Sequence, residues 1–177
     1  MTEARNELGR VSSLKADAVG QPGLRRFHLL AESRNGGSAV LWMEKEQLLN
    51  LGVDLKRVID TVEEQSGRHG ARRVPAEEPG ESQAPIGQPV EFQVGRLAIG
   101  YDERTALYVI AAHADEDPEN AMAMVSLTAT QQEMDVLADQ AFEVCAAGRS
   151  LCPLCGAPIG PEQHICPRHN GHGMLEA

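Results

Sequence analysis

The chain has 177 residues, with 16 Lys and Arg against 26 Asp and Glu and a formal net charge of −10. That balance argues against a nucleic-acid phosphate backbone as the main partner, since such binding needs a field of basic side chains. Hydrophobic residues make up 42% but aromatic ones only 3%, so a core must be built from aliphatic side chains.

The length fits one compact domain with a small appendage. No apolar run follows Met1-Thr2-Glu3-Ala4-Arg5, and no stretch reaches transmembrane length. The expectation is a cytoplasmic protein without a signal peptide or a membrane span.

In chain order, Val11 to Val19 alternates loosely and reads as a first strand, followed by a turn at Gly20-Gln21-Pro22-Gly23. Phe27 to Ala31 is the second strand, Asn35-Gly36-Gly37 a hairpin turn, and Ser38 to Met43 the third strand. A helix over Lys45–Glu64 follows, with Leu48, Leu51, Leu55, Val58, Ile59 and Val62 on one stripe. Gly52 sits inside it and lowers its propensity by about 1 kcal/mol.

Residues 66–89 hold four prolines and four glycines with no periodicity, and read as a flexible linker. The Arg68-His69-Gly70-Ala71-Arg72-Arg73 cluster there is a solvated charge run, balanced at once by Glu77, Glu78 and Glu81.

Beyond the linker the pattern recurs. Ala18-Val19-Gly20 falls on Ala98-Ile99-Gly100, and Phe27 to Ala31 falls on Leu107 to Ala111 at the same offset. Past the acidic loop at Asp115 to Asn120, Ala39 and Leu41 meet Val125 and Leu127. The stripe Leu48, Leu51, Leu55 and Ile59 meets Met134, Leu137, Ala141 and Cys145. The expected fold is therefore α+β, with two duplicated β-β-β-α halves over residues 1–65 and 90–148. Their antiparallel sheets are covered by the helices at Lys45–Glu64 and Thr130–Ala147. Thr128 or Thr130 serves as the second N-cap, since each has a Gln or Glu three residues on.

Residues 149–177 form a different unit. Cys152 and Cys155 stand at C-x2-C spacing with Gly156 after them, and His164, Cys166 and His169 follow. A thiolate pair on a tight turn plus downstream His and Cys donors matches a structural zinc site, with four protein ligands and no open position for water. Two sets compete: Cys152, Cys155, His164 and Cys166, or Cys152, Cys155, Cys166 and His169. Disulfides or free buried thiols are the bland alternative, disfavoured in a cytosolic chain.

Elsewhere the ordinary readings prevail. Cys145 lies on a helix stripe as a small core residue. His28 and His113 lie on or beside strands without an acidic partner at hydrolase-like spacing, and Trp42 at a strand end is half-buried packing against the helix by default, with an exposed anchor for a partner as the alternative. The acidic loop lacks calcium-loop spacing. No phosphate loop, serine elbow or paired-carboxylate motif is present, so no catalytic residue is assigned. A non-enzymatic zinc-binding adaptor with a protein partner fits best. A nucleic-acid-binding zinc protein is the alternative, and an enzyme whose site converges only in three dimensions is the second alternative.

Four segments carry a resemblance. They are Val19-Gly20-Gln21-Pro22-Gly23-Leu24-Arg25-Arg26-Phe27, Glu44-Lys45-Glu46-Gln47, Phe92-x-Val94-Gly95, and Cys152-Pro153-Leu154-Cys155-Gly156 through Cys166-Pro167-Arg168-His169-Asn170-Gly171. With these the chain resembles the uncharacterised bacterial family known as domain of unknown function 3090 (DUF3090). The resemblance implies a protein often described as a repeat protein, and a genomic neighbourhood with a phosphatase-like and a kinase-like protein as possible partners. It favours Cys152, Cys155, His164 and Cys166 as the ligand set, with His169 at a variable position. Gln163 before that histidine and His172 after Asn170-Gly171 depart from the family pattern. No activity is implied.

Overall fold

Alternation of apolar and polar residues puts every second side chain of a strand on one face. Six strands use that rule here to enclose one core. The structure, a computed structural model, describes residues 4–21, 23–69, 88–147, 154, 164–165 and 174–175. The order is β1 (Ala4–Val19), β2 (Arg26–Ser33), β3 (Ser38–Met43), α1 (Lys45–His69), β4 (Val90–Asp102), β5 (Leu107–Ala114), β6 (Ala123–Ala129) and α2 (Gln131–Ala146). Two short strands, β7 (His164–Ile165) and β8 (Met174–Leu175), follow and pair with each other.

Strands β1 to β6 form a closed barrel in sequence order. Neighbours within β1-β2-β3 and within β4-β5-β6 run antiparallel, but β3 joins β4 and β6 joins β1 in parallel. This corrects the expectation of antiparallel sheets lying under helices. Three strands alone leave two unpaired edges, and joining them edge to edge removes that liability.

The pairing aligns the two sets of strands row by row. Inward rows are Leu14–Ala31–Ala39, Ala16–Leu29–Leu41 and Ala18–Phe27–Met43 in β1-β2-β3. In β4-β5-β6 they are Leu97–Ala112–Val125, Ile99–Ile110–Leu127 and Tyr101–Tyr108–Ala129. All eighteen side chains belong to the core or pack against it. The offset read from sequence for the first two strands is thereby corrected. Ala18 packs on the core, whereas Ala98 pairs with Ala111 on the outer face, and Phe27 corresponds to Tyr108 rather than to Leu107. A slip of one residue in a strand reverses its faces, and the sequence match alone puts Ala98 on the wrong one.

Both helix stripes close onto the same core. Leu48, Leu51, Leu55 and Ile59 of α1 are buried, as are Met134, Leu137, Ala138, Ala141 and Cys145 of α2. Gly52 does not break α1. A Cβ there would lie 2.9 Å from the Phe142 ring and 3.3 Å from the Ala138 carbonyl, so its bareness lets the helices cross closely. Helix α1 also runs on to His69, four residues into the stretch expected as linker. Strand β1 begins at Ala4, well before Val11, because its first part pairs with β6 across a bulge where Gly9 has φ 63°. The second N-cap is Thr130, with a complete capping box to Glu133, and Thr128 belongs to β6.

The two helix starts are tied to the opposite half. Gln47 accepts from the Glu44 amide and donates to the Val94 carbonyl of β4 at 3.1 Å. Glu133 accepts from the Thr130 amide and pairs with Arg10 of β1 at 2.6 Å. Each half is thus fastened to the other at matching places.

Candidate functional site

An antiparallel sheet with one face in the core leaves the other face to side chains that its sequence selects freely. On β1-β2-β3 the outward rows are filled: Lys15–Leu30–Val40 and Asp17–His28–Trp42. Arg26 lies over the Trp42 ring at 4.2 Å, the His28 ring sits 4.7 Å from it, and the indole nitrogen donates to Glu91 at 2.5 Å. His28 is buried beneath this stack, with Nδ1 lacking a hydrogen-bond partner. Trp42 is half-buried and packed as expected, but on the outer face against Arg26 and His28 rather than against the helix.

The corresponding rows of β4-β5-β6 are Ala98–Ala111–Ser126 and Gly100–Val109–Thr128. Every position carries a smaller side chain than its counterpart. The result is a groove of about 710 Å³, extended onto β1 at Glu7 and Gly9 and bordered by Asp102, Arg104 and Thr105 at the β4–β5 turn. A Cβ at Gly9 or Gly100 would meet nothing within 4 Å, so both glycines open onto free space. Ala111 and Ser126 are buried at its floor.

The charges around it are few. Asp102 accepts from the Arg104 amide at 2.9 Å, which holds its carboxyl below the usual value, and the Arg104 guanidinium turns back to it at 3.8 Å. Glu7 has no counter-ion among the described residues.

Past the groove floor on β5 comes His113, buried, with Nδ1 at 3.1 Å from an Arg96 nitrogen. Burial first, and then the Arg96 charge, push its pKa below the ordinary 6.5. A guanidinium can only donate, so Nδ1 accepts from Arg96, a structural role for the ring. Asp117 of the acidic loop pairs with Arg5 at 2.7 Å and accepts from the Ala114 amide, which pins the loop to β1 and β5. Cys145 is buried in the helix stripe, and burial raises its thiol pKa, as expected of an inert core cysteine.

Of the expected zinc ligands, Cys152, Cys155, Cys166 and His169 lie outside the described residues. His164 is described only as a backbone position in β7, paired with Leu175. Among the described residues no cluster of three or more His, Cys, Asp or Glu could hold a metal. No described helix is long and apolar enough to cross a membrane.

Sequence reasoning missed the groove because Gly, Ala, Ser and Thr carry no motif. The usable signal was differential: outward residues of the second half are smaller than those of the first, but only once the strands are aligned in their true register.

No curated protein matches the chain, and no solved structure matches it. The family model described as "Protein of unknown function (DUF3090)" matches residues 7–166, from the start of the groove on β1 into the cysteine-rich tail, and the chain belongs to that family.

Proposed function

We propose that the protein is a non-enzymatic adaptor of the cytoplasm, a rigid barrel that binds a protein partner and carries a structural zinc on its tail. The observation behind this reading is the groove on β4, β5, β6 and β1, open and paved with small side chains on a closed scaffold. Pre-formed concave surfaces on rigid frames are where binding concentrates. Both histidines on the barrel strands are engaged otherwise, His28 against Trp42 and His113 with Arg96, and neither has a carboxylate hydrogen-bonded to it. A general base oriented by an acid is therefore not assembled on these two.

The zinc proposal rests on spacing. Cys152, Cys155, His164 and Cys166 supply three thiolates and one imidazole, with His169 as alternate. The barrel halves are proposed to descend from one duplicated β-β-β-α unit. Five matching rows across the strands, and the matched pairs Glu44/Gln47 and Thr130/Glu133 at the helix starts, support it.

The reading is tested by affinity isolation of the intact protein at physiological salt, with metal analysis of the same preparation. The expected result is a stoichiometric protein partner and about one zinc per chain, the metal being lost in Cys152→Ser. Nucleic acid recovered in a salt-sensitive manner, or a zinc content near zero in reduced, unchelated protein, contradicts the corresponding half of the reading.

A further inference from the structure

We infer that the groove on β4, β5, β6 and β1 seats a basic segment of a partner protein, with an apolar side chain on the floor and a lysine or arginine at Glu7. This rests on the adaptor reading and names the surface and chemistry of its partner.

Three observations converge. First, the emptiness is one-sided. At the same ladder positions β1-β2-β3 carry Lys15, Leu30, Val40, His28 and Trp42, where β4-β5-β6 carry Ala98, Ala111, Ser126, Val109 and Thr128. A barrel needs no such asymmetry for closure, since the inward rows match on both sides. Second, Gly100 and Gly9 stand on the strands at either side of the floor with open space where a Cβ would point. Bare glycine on an outward strand position admits the close approach of another backbone. A partner chain crossing the strands at Gly9 and Gly100 meets no side chain at those two positions. Third, the groove's charge is unbalanced toward acid. Arg104 is turned toward Asp102, and Glu7 has no counter-ion among the described residues, in a chain of net charge −10. Asp117 already pairs with Arg5 near that end, so Glu7 is left as the contact for an incoming cation.

The floor sets the size of the anchor. Ala98, Ala111, Val109 and the hydroxyls of Ser126 and Thr128 offer a mixed surface that a leucine- or methionine-sized side chain covers, with hydroxyls left to bond partner backbone.

The test is selection of random peptides displayed on phage against the intact, zinc-replete protein. Binding of the selected peptides is then measured to folded variants. Gly100→Leu and Ala98→Leu fill the groove at positions with room for a side chain, and Lys15→Ala changes the opposite face as control. The expected peptides place Lys or Arg beside an apolar residue. They lose about tenfold or more in affinity on Gly100→Leu and on Ala98→Leu, about two- to fivefold on Glu7→Gln, and nothing on Lys15→Ala. Peptides that bind Gly100→Leu and Ala98→Leu as well as the native chain overturn the groove while leaving an adaptor. Acidic selected peptides overturn the charge assignment. If no peptide is selected and argininamide alone shifts the amide signals of residues 98–102, the site takes a small molecule and the proposal falls. Failure of selection together with failure to isolate any protein partner removes the adaptor reading as well.

Discussion

Tyr108 shows what the true register adds at the scale of one residue. Its ring fills the inward row with Tyr101 and Ala129, 1% exposed, and its hydroxyl is buried without a hydrogen-bond partner. Burial raises the phenol pKa to about 12, with smaller contributions from Tyr101 and Glu63. An unsatisfied buried hydroxyl costs on the order of 1–3 kcal/mol of desolvation. The matching position in the other half holds Phe27, which has no such group. Tyr108→Phe is therefore expected to leave the fold intact and to raise unfolding free energy by about 1 kcal/mol in urea denaturation. A loss of that size instead would mean the hydroxyl is satisfied and the row is read wrongly. From sequence alone the residue was legible as a strand position, but its face was not. Leu107 and Tyr108 are both apolar enough to point inward, and only pairing with Ala129 decides between them.

At the scale of the element, strong periodicity was readable and distant pairing was not. Strands β2 and β3 and both helices lie where alternation and the 3.6-residue stripe put them, because those signals are local. The length of β1 is set by β6, more than a hundred residues away, and the polar residues of its first part gave no local cue. Helix propensity, being local, marks Gly52 as a weak point of α1, while its use lies in the crossing with α2. Lys56 also spans that crossing, to Asp135 at 2.6 Å and Asp139 at 2.7 Å, and both partners raise its pKa. Yet the pair is solvated, and such bridges contribute under about 1 kcal/mol. Gly52→Val, by contrast, forces a branched side chain into the Phe142 ring and a backbone carbonyl. Overpacking of this kind costs about 1–3 kcal/mol. The measurement is a urea titration of Gly52→Val and Lys56→Ala beside the native chain. The glycine change is expected to lower the midpoint more than the lysine change, and the reverse order would refute close helix crossing as the reason for Gly52.

The whole molecule is a closed barrel whose halves hold each other. The parallel seams β3/β4 and β6/β1, and the bonds of Gln47 to β4 and Glu133 to β1, leave neither half with satisfied edges alone. The sequence made the β-β-β-α order of each half readable. Closure was not readable, since nothing local distinguishes a strand that ends a sheet from one that pairs across a seam. The proposed zinc ligands rest on spacing alone, whereas the groove becomes visible only when outward rows are compared in register. That comparison turns residues without a motif into a surface.

A partner bound at the proposed groove shields one face of the barrel from solvent. The most direct measurement is hydrogen exchange of the intact protein, free and with a saturating selected basic peptide, read segment by segment. Slowed exchange is expected in residues 7–10, 98–102, 109–111 and 126–128, with residues 15–17, 28–30 and 40–42 unchanged. Protection confined to the Trp42 face, or the same pattern with Gly100→Leu as with the native chain, would contradict it.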